Sequence, residues 1–317
     1  MLKQILIFFI TCLILLLTNY FLPNILNPYI FMILIYCGIN IILGVSLNII
    51  NGITGQFSIG HAGFMAVGAY VSAALSFYVF SSFKTYIILT HVFFIFSLIV
   101  GGLTASLFGY LVGLPSLRLR GDYLGIVTLG FAEIIRVFIL NMDFLGGARG
   151  FTGIPILANF FWVGFFVIAT IVVSFRLKNS YQGRALLSIR EDEIAAESIG
   201  IPITHYKIKA FVVSSFFAGI AGGLFAHFIG YLNPSSFTFL KSFEVIIIVV
   251  LGGIGSISGS IIAALITTIL PEILRPLRDI TQIDFRMVIY PLLLLILMLT
   301  RPQGLFGNKE INFRKHP

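Results

Sequence analysis

The chain has 317 residues with 58% apolar and 10% charged composition, against roughly 45–50% apolar and 25% charged in soluble domains, which excludes a water-soluble fold. The net charge of +8 comes from 20 Lys and Arg against 12 Asp and Glu; the basic residues gather in the connections between apolar blocks, as topology and lipid headgroups require, so no nucleic-acid partner is called for. Cys12 and Cys37 both lie in apolar runs, which excludes a disulfide framework and a Cys-x-x-Cys metal site.

Apolar segments run over 4–22, 30–50, 58–80, 86–114, 123–140, 156–175, 210–232, 243–270 and 283–300. Most are long enough to cross a hydrocarbon core of about 30 Å. Residues 1–22 read as the first span, because the run after Lys3 is too long for a signal-peptide core and ends without a small-residue cleavage site. The composition therefore predicts an all-α polytopic transmembrane bundle of about 8–10 spans.

The first glycine-rich block is Gly52-Ile53-Thr54-Gly55-Gln56-Phe57-Ser58-Ile59-Gly60-His61-Ala62-Gly63, continuing through Gly68-Ala69 and Ser72-Ala73-Ala74. Small residues at this spacing allow close helix packing. Paired glycine-interrupted segments in two halves can also mark an inverted repeat lining a transport path. In the 123–140 segment, Glu133 and Arg136 are spaced to meet on one helix face, either as a structural pair or as groups lining a path.

The longest polar interruption, from Arg176 to Lys209, also contains Lys178, Arg184, Arg190 and Lys207, and the positive-inside bias places it in the cytoplasm. Counting back puts the N-terminus and Arg118 and Arg120 on the same side, and the loop 141–155 outside. Within the interruption, residues 183–200 read as one amphipathic helix with Leu187, Ile194, Ala195 and Ile199 near one side, stopped by Gly200 and Pro202.

The 243–270 block is interrupted by Leu251-Gly252-Gly253-Ile254-Gly255-Ser256-Ile257-Ser258-Gly259-Ser260, which predicts two short helices crossing twice or forming a re-entrant pair. That reading brings the tail after Thr300, with Arg301, Lys309, Arg314 and Lys315, back to the cytoplasmic side. Pro291 should kink the last span. The candidate path residues are Gly55, Ser58, Gly60, His61 and Gly63 with Gly252, Gly253, Gly255 and Ser256.

No Gly-x-x-x-x-Gly-Lys-Ser/Thr, His-Glu-x-x-His or Gly-x-Ser-x-Gly pattern is present, so ATP, if used, is bound by a partner. His61, His91, His205, His227 and His316 are not spaced as a metal site. His61, His227 and Glu244 lie near segment ends or glycine breaks, which favours an interface position over substrate contact.

These residues resemble the permease subunits of ABC importers for branched-chain amino acids, of the LivM type. The resemblance rests on Gly55 to Phe64; on Leu117-Arg118-Leu119-Arg120-Gly121-Asp122-Tyr123 with Thr128-Leu129-Gly130-Phe131 and Glu133-Ile134-Ile135-Arg136; on Gly146-Gly147, Gly150 and Gly153-Ile154-Pro155; on Arg184 to Gly200; and on the closing Arg301-Pro302-Gln303-Gly304-Leu305-Phe306-Gly307. It implies a single permease domain over 1–317, multi-pass in the cell (inner or plasma) membrane, with both termini cytoplasmic, a coupling loop at 176–209 and a cytoplasmic tail at 301–317. It also implies a second related permease, two cytoplasmic ATPases holding the ATP and an external substrate-binding protein, with no cofactor and no enzymatic activity in this chain. Arg184, Arg190, Glu193, Ala195, Ala196, Glu197 and Gly200 would carry the ATPase contact. The family's loop motif, Glu-Ala-Ala followed by three residues and Gly, appears as Ile194-Ala195-Ala196 and Gly200, so its first position departs, and the downstream Ile-x-Leu-Pro is missing. Permeases for urea or short amides are related, and an ion-coupled secondary transporter is the competing class.

Overall fold

The computed structural model describes residues 2–79, 87–116, 121–273, 275, 292, 295–296, 299–301, 303–307 and 310. Arg118, Arg120, Pro291, Lys309, Arg314, Lys315 and most of the 283–300 span lie outside the described residues.

The described chain is helical: α1 (Leu2–Ile25), α2 (Pro28–Asn48), α3 (His61–Tyr78), α4 (Ile87–Ser116), α5 (Asp122–Leu140), α6 (Phe160–Asn179), α7 (Tyr181–Glu191), α8 (Glu193–Ser198), α9 (Ile203–Ile229), α10 (Phe239–Gly252) and α11 (Ile257–Ile273). Among the described residues, five helical stretches are long and apolar enough to cross a membrane: Pro28–Ile53, Leu89–Pro115, Asp122–Leu140, Phe160–Asn179 and Ile203–Ile229. Lone apolar character does not decide what is central. α3, diluted by Gly, Ser and His, is nevertheless the most enclosed in protein, with Phe64, Met65, Ala69 and Ala73 all buried.

Small residues bring α3, α4 and α9 together. A Cβ on Gly68 would stand 2.2 Å from Gly219 Cα, one on Gly101 2.7 Å from the Gly68 carbonyl oxygen, and one on Gly222 2.0 Å from the Met65 carbonyl oxygen. With no hydrophobic drive between helices in lipid, such backbone approach supplies dispersion contact in its place. The Gly68–Ala74 stretch is therefore a packing face. Around this trio, α2 packs on α6, α9, α10 and α11, and α1 packs on α6, where Asn19 Oδ1 accepts from Phe161 N at 3.3 Å.

The ends of the bundle are distinguishable by contact. At one end, Tyr78 OH donates to the Phe144 carbonyl at 2.6 Å, and the two-residue strands β1 (Phe151–Thr152) and β2 (Tyr231–Leu232) pair antiparallel. At the other, the connection between α2 and α3 meets Arg190 of α7 and the α10–α11 break, and that break meets Lys178 of α6 and residues of the tail. Arg176 and Lys178 belong to the last turn of α6, and Lys207 and Lys209 to α9, so the irregular connection is shorter than the charge pattern suggests. Burial explains this for Lys207, which is 3% exposed and ion-paired with Glu193.

Residues 183–200 do not form one helix. Asp192 ends α7 and caps α8, accepting from Ile194 N (2.8 Å) and Ala195 N (3.0 Å). The break resets the helical phase, so Leu186, Ile189 and Ala196 face inward, while Ile194 (68%) and Ile199 (74%) are exposed.

Candidate functional site

At the end of α2 the chain widens into a π turn, Ile49–Ile53, a distortion common at functional positions. It then runs without helix through Gly55 (φ +69°) to His61. Asn51 acts as a surrogate strand for this run: its Oδ1 accepts from Ser58 N at 3.2 Å and its Nδ2 donates to Ser58 O at 3.3 Å. Thr128 Oγ1 accepts from Ile59 N at 3.0 Å, and Ser242 Oγ accepts from Ala62 N at 3.1 Å, satisfying amides at the start of α3. His61 Nε2 meets Ser46 Oγ at 2.9 Å. The Gln56 amide, Ser58 Oγ and His61 Nδ1 are buried without a hydrogen-bond partner among the described residues. Buried polar groups are normally satisfied, so three such residues within six positions set this segment apart.

The second break separates α10 from α11 at 253–256, with Gly253 (φ +110°) and Gly255 (φ +91°) in conformations that side chains resist. Ser256 Oγ accepts from Gly259 N at 3.0 Å and caps α11. At about 1.5 Å per residue, the 14-residue α10 is about 21 Å long, short of a full hydrocarbon thickness.

The two breaks touch. Asn48 Oδ1 accepts from Gly255 N and Asn48 Nδ2 donates to Ser256 O, each at 2.9 Å, and a Cβ on Gly52 would lie 2.4 Å from Gly255 N. Both sit at the bundle end that holds the charged connections. Arg190 Nη1 donates to Gly52 O at 3.0 Å, and Lys178 Nζ donates to Gly255 O at 2.7 Å. Asn48 was not among the residues that composition and motif single out, because its partners lie some two hundred positions away. Of the candidate path residues, Gly55 is exposed, while Ser58, Gly60, His61, Gly63, Gly252, Gly253, Gly255 and Ser256 are buried.

Of the loop residues, Arg184, Ala195, Glu197 and Gly200 are exposed; Arg190 and Glu193 are partly covered by their internal partners, and Ala196 is buried. Glu133 and Arg136 form an ion pair at 2.7 Å on α5, with the side chains 31% and 25% exposed, beside a shallow groove lined by Gly130, Ile134, Val137, Phe138 and Asn141. His61 and His227 are wholly enclosed in protein rather than at an interface: His227 joins Ser72 Oγ (3.2 Å), Ser76 Oγ (3.1 Å) and Pro155 O (2.9 Å). Glu244 pairs with Lys241 at 2.9 Å near the start of α10. Among the described residues, no group of His, Cys, Asp and Glu side chains is placed to hold a metal.

The family model for the branched-chain amino acid transport system / permease component matches residues 29–298. The chain is 38% identical over 241 residues to the high-affinity branched-chain amino acid transport system permease protein LivM of Salmonella typhimurium, covering 65% of this chain and 56% of that one. It is 29% identical to the probable LivM of Methanocaldococcus jannaschii, covering 68% of this chain and 69% of the relative. It is also 31% identical over 150 residues to the permease protein LivH of Escherichia coli, covering 47% of each chain. The match thus spans little more than half the length of the Salmonella relative. No solved structure matches the chain. The chain belongs to the family of permease components of branched-chain amino acid transport systems.

Proposed function

We propose that this chain is a permease subunit of an ATP-driven importer and provides part of the path for branched-chain or similar apolar amino acids. It works with a second related permease, two cytoplasmic ATPases that hold the ATP, and an external binding protein. The chain is one permease domain over 1–317, with 176–209 as the coupling loop, 301–317 as the tail, and both termini cytoplasmic. The observation that carries the reading is the two-sidedness of the α7–α8 connection: Arg190 bonds inward to Gly52, and Ile194 and Ile199 stand exposed outward. Exposed apolar side chains beside charged ones at a loop suit a groove in a soluble partner.

A half-exposed Glu133–Arg136 pair in an apolar span is costly against lipid, which supports the α5 face as the seam with the second permease. The orphan polar groups at Gln56, Ser58 and His61, set in an otherwise weakly polar lining, support a path through the first break. Such a lining suits passage without tight binding.

Uptake by proteoliposomes holding the complete complex tests the reading. Radiolabelled leucine, isoleucine and valine should accumulate only with ATP, and excess urea or acetamide should not compete. Accumulation driven by an ion gradient without ATP would replace this reading with a secondary carrier. Cysteines introduced at Lys315 and in 141–155 test orientation: only the latter should label from outside.

A further inference from the structure

A helix break set among apolar spans needs partners for the carbonyls ending one helix and the amides beginning the next. At the α10–α11 break Ser256 supplies a local cap, and further partners come from outside the two helices. Leu305 N and Phe306 N, in the tail, donate to Leu251 O (2.9 Å) and Gly252 O (3.2 Å), the last carbonyls of α10. Close contact requires glycine there: a Cβ on Gly304 would stand 2.6 Å from Gly253 Cα. The tail's Glu310 accepts from Ile257 N (2.9 Å), Ser258 N (3.0 Å) and Ser258 Oγ (2.7 Å), and so caps α11 with a carboxylate. The same carboxylate pairs at 2.6 Å with Lys178, which also holds Gly255 O. Lys178 sits in the last turn of α6, three residues before α7 begins. On the other flank, Arg190 holds Gly52 and Asn48 joins that turn to Gly255 and Ser256.

We propose that Lys178 and Glu310 are positioning residues that transmit displacement of the 176–209 loop to the α10–α11 break, with residues 303–307 as the strap that holds the break against them. The proposal rests on the reading of that loop as the ATPase-docking element. Gln303-Gly304-Leu305-Phe306-Gly307 thereby gains a role: the amides of Leu305 and Phe306 complete the end of α10, and Glu310 completes the start of α11. A carboxylate shared between loop and helix terminus cannot follow one without pulling the other.

The test uses the complete reconstituted complex and reads leucine moved per ATP hydrolysed. Lys178→Met and Glu310→Gln should each lower that ratio at least about fivefold, and the double variant should be no worse than either single, as for one shared linkage. Lys178→Arg should restore the ratio to within about twofold. Wild-type ratios in both singles, or losses that multiply in the double, overturn the proposal. Where a variant fails to assemble, a probe in the otherwise unaltered network serves: a spin label on Ile254→Cys, a residue exposed at the break, in a background lacking Cys12 and Cys37. Its mobility should change when ATP is added. Cross-linking of Glu197→Cys to the ATPase separates the two failures. Cross-linking with an unresponsive Ile254 label overturns the linkage alone, and no cross-linking overturns the docking reading and the linkage with it.

Discussion

Arg190 Nη1 reaches the Gly52 carbonyl at 3.0 Å while the stem of the same side chain lies over Gly55, where a Cβ would stand 2.5 Å from Arg190 Cγ. One side chain from the loop thus occupies both the free carbonyl of the π turn and the space a glycine leaves open. Arg190→Ala removes a charge-assisted hydrogen bond worth about 1.5–3 kcal/mol when buried. With the side chain 21% exposed, about 1 kcal/mol is expected. Thermal unfolding of the purified complex should move down by a few degrees, and uptake per assembled complex should fall further than stability alone explains.

Gly68→Ala forces a methyl group to 2.2 Å from Gly219 Cα, where only backbone lies and nothing can swing aside. Overpacking of this kind costs about 1–3 kcal/mol. Folded yield should drop sharply. Gly130→Ala, with nothing among the described residues within 4 Å of the added carbon, should leave the yield of the isolated subunit unchanged.

His227→Ala strips partners from Ser72, Ser76 and the Pro155 carbonyl at once. Ser72 keeps Ser97, and about 1–3 kcal/mol follows from depriving Ser76 and the Pro155 carbonyl of the imidazole. Yield should fall while transport per folded molecule holds, which a comparison of uptake normalised to assembled complex would show.

Glu133→Gln and Arg136→Met each leave one charge of the α5 pair uncompensated. Co-purification with the second permease should weaken in both singles and recover in part in the double variant. Equal losses that add in the double would remove α5 from the seam.

Burial raises the Glu310 pKa, but hydrogen bonds from Lys178, Ser258 and Ile257 together outweigh it and hold the carboxyl below its ordinary value. A carboxylate depressed in the folded state contributes stability that is present above its unfolded pKa and lost as pH falls through the folded one. The clasp should therefore be intact at neutral pH and open only below the usual carboxylate range. Glu310→Gln should flatten that acid limb of the stability profile, measured as unfolding temperature against pH.

The glycines at 252–255 announce the α10–α11 break in the sequence, since a helix with so many of them in its interior has little reason to continue. The Asp192 break was available too, as Asp192 before Glu193-Ile194-Ala195 is a capping pattern, but a continuous 3.6-residue period masks it and sets Ile194 and Ile199 on one side with Leu187. Lys207 and Lys209 read as loop because charge counts treat every lysine alike, whereas Lys207 is buried beside Glu193. Gly60 and Gly255 read as path lining. The structure sets a Cβ on Gly60 2.6 Å from the Thr128 carbonyl oxygen and holds Gly255 at φ +91°, so leucine there would disturb folding before transport. Asn48, Lys178 and Glu310 carry no local signal: each meets its partners across long sequence separations that only the fold closes.

The most direct test of the account is leucine accumulation by proteoliposomes holding the complete complex, with ATP hydrolysis followed in the same vesicles, for the natural chain and for Asn48→Ala. The account predicts ATP-dependent accumulation by the natural chain, and in the variant continued hydrolysis with accumulation reduced at least about fivefold, because among the described residues it is Asn48 whose side chain joins the two breaks. Accumulation by the natural chain without ATP, or an unchanged ratio of leucine to ATP in the variant, would contradict it.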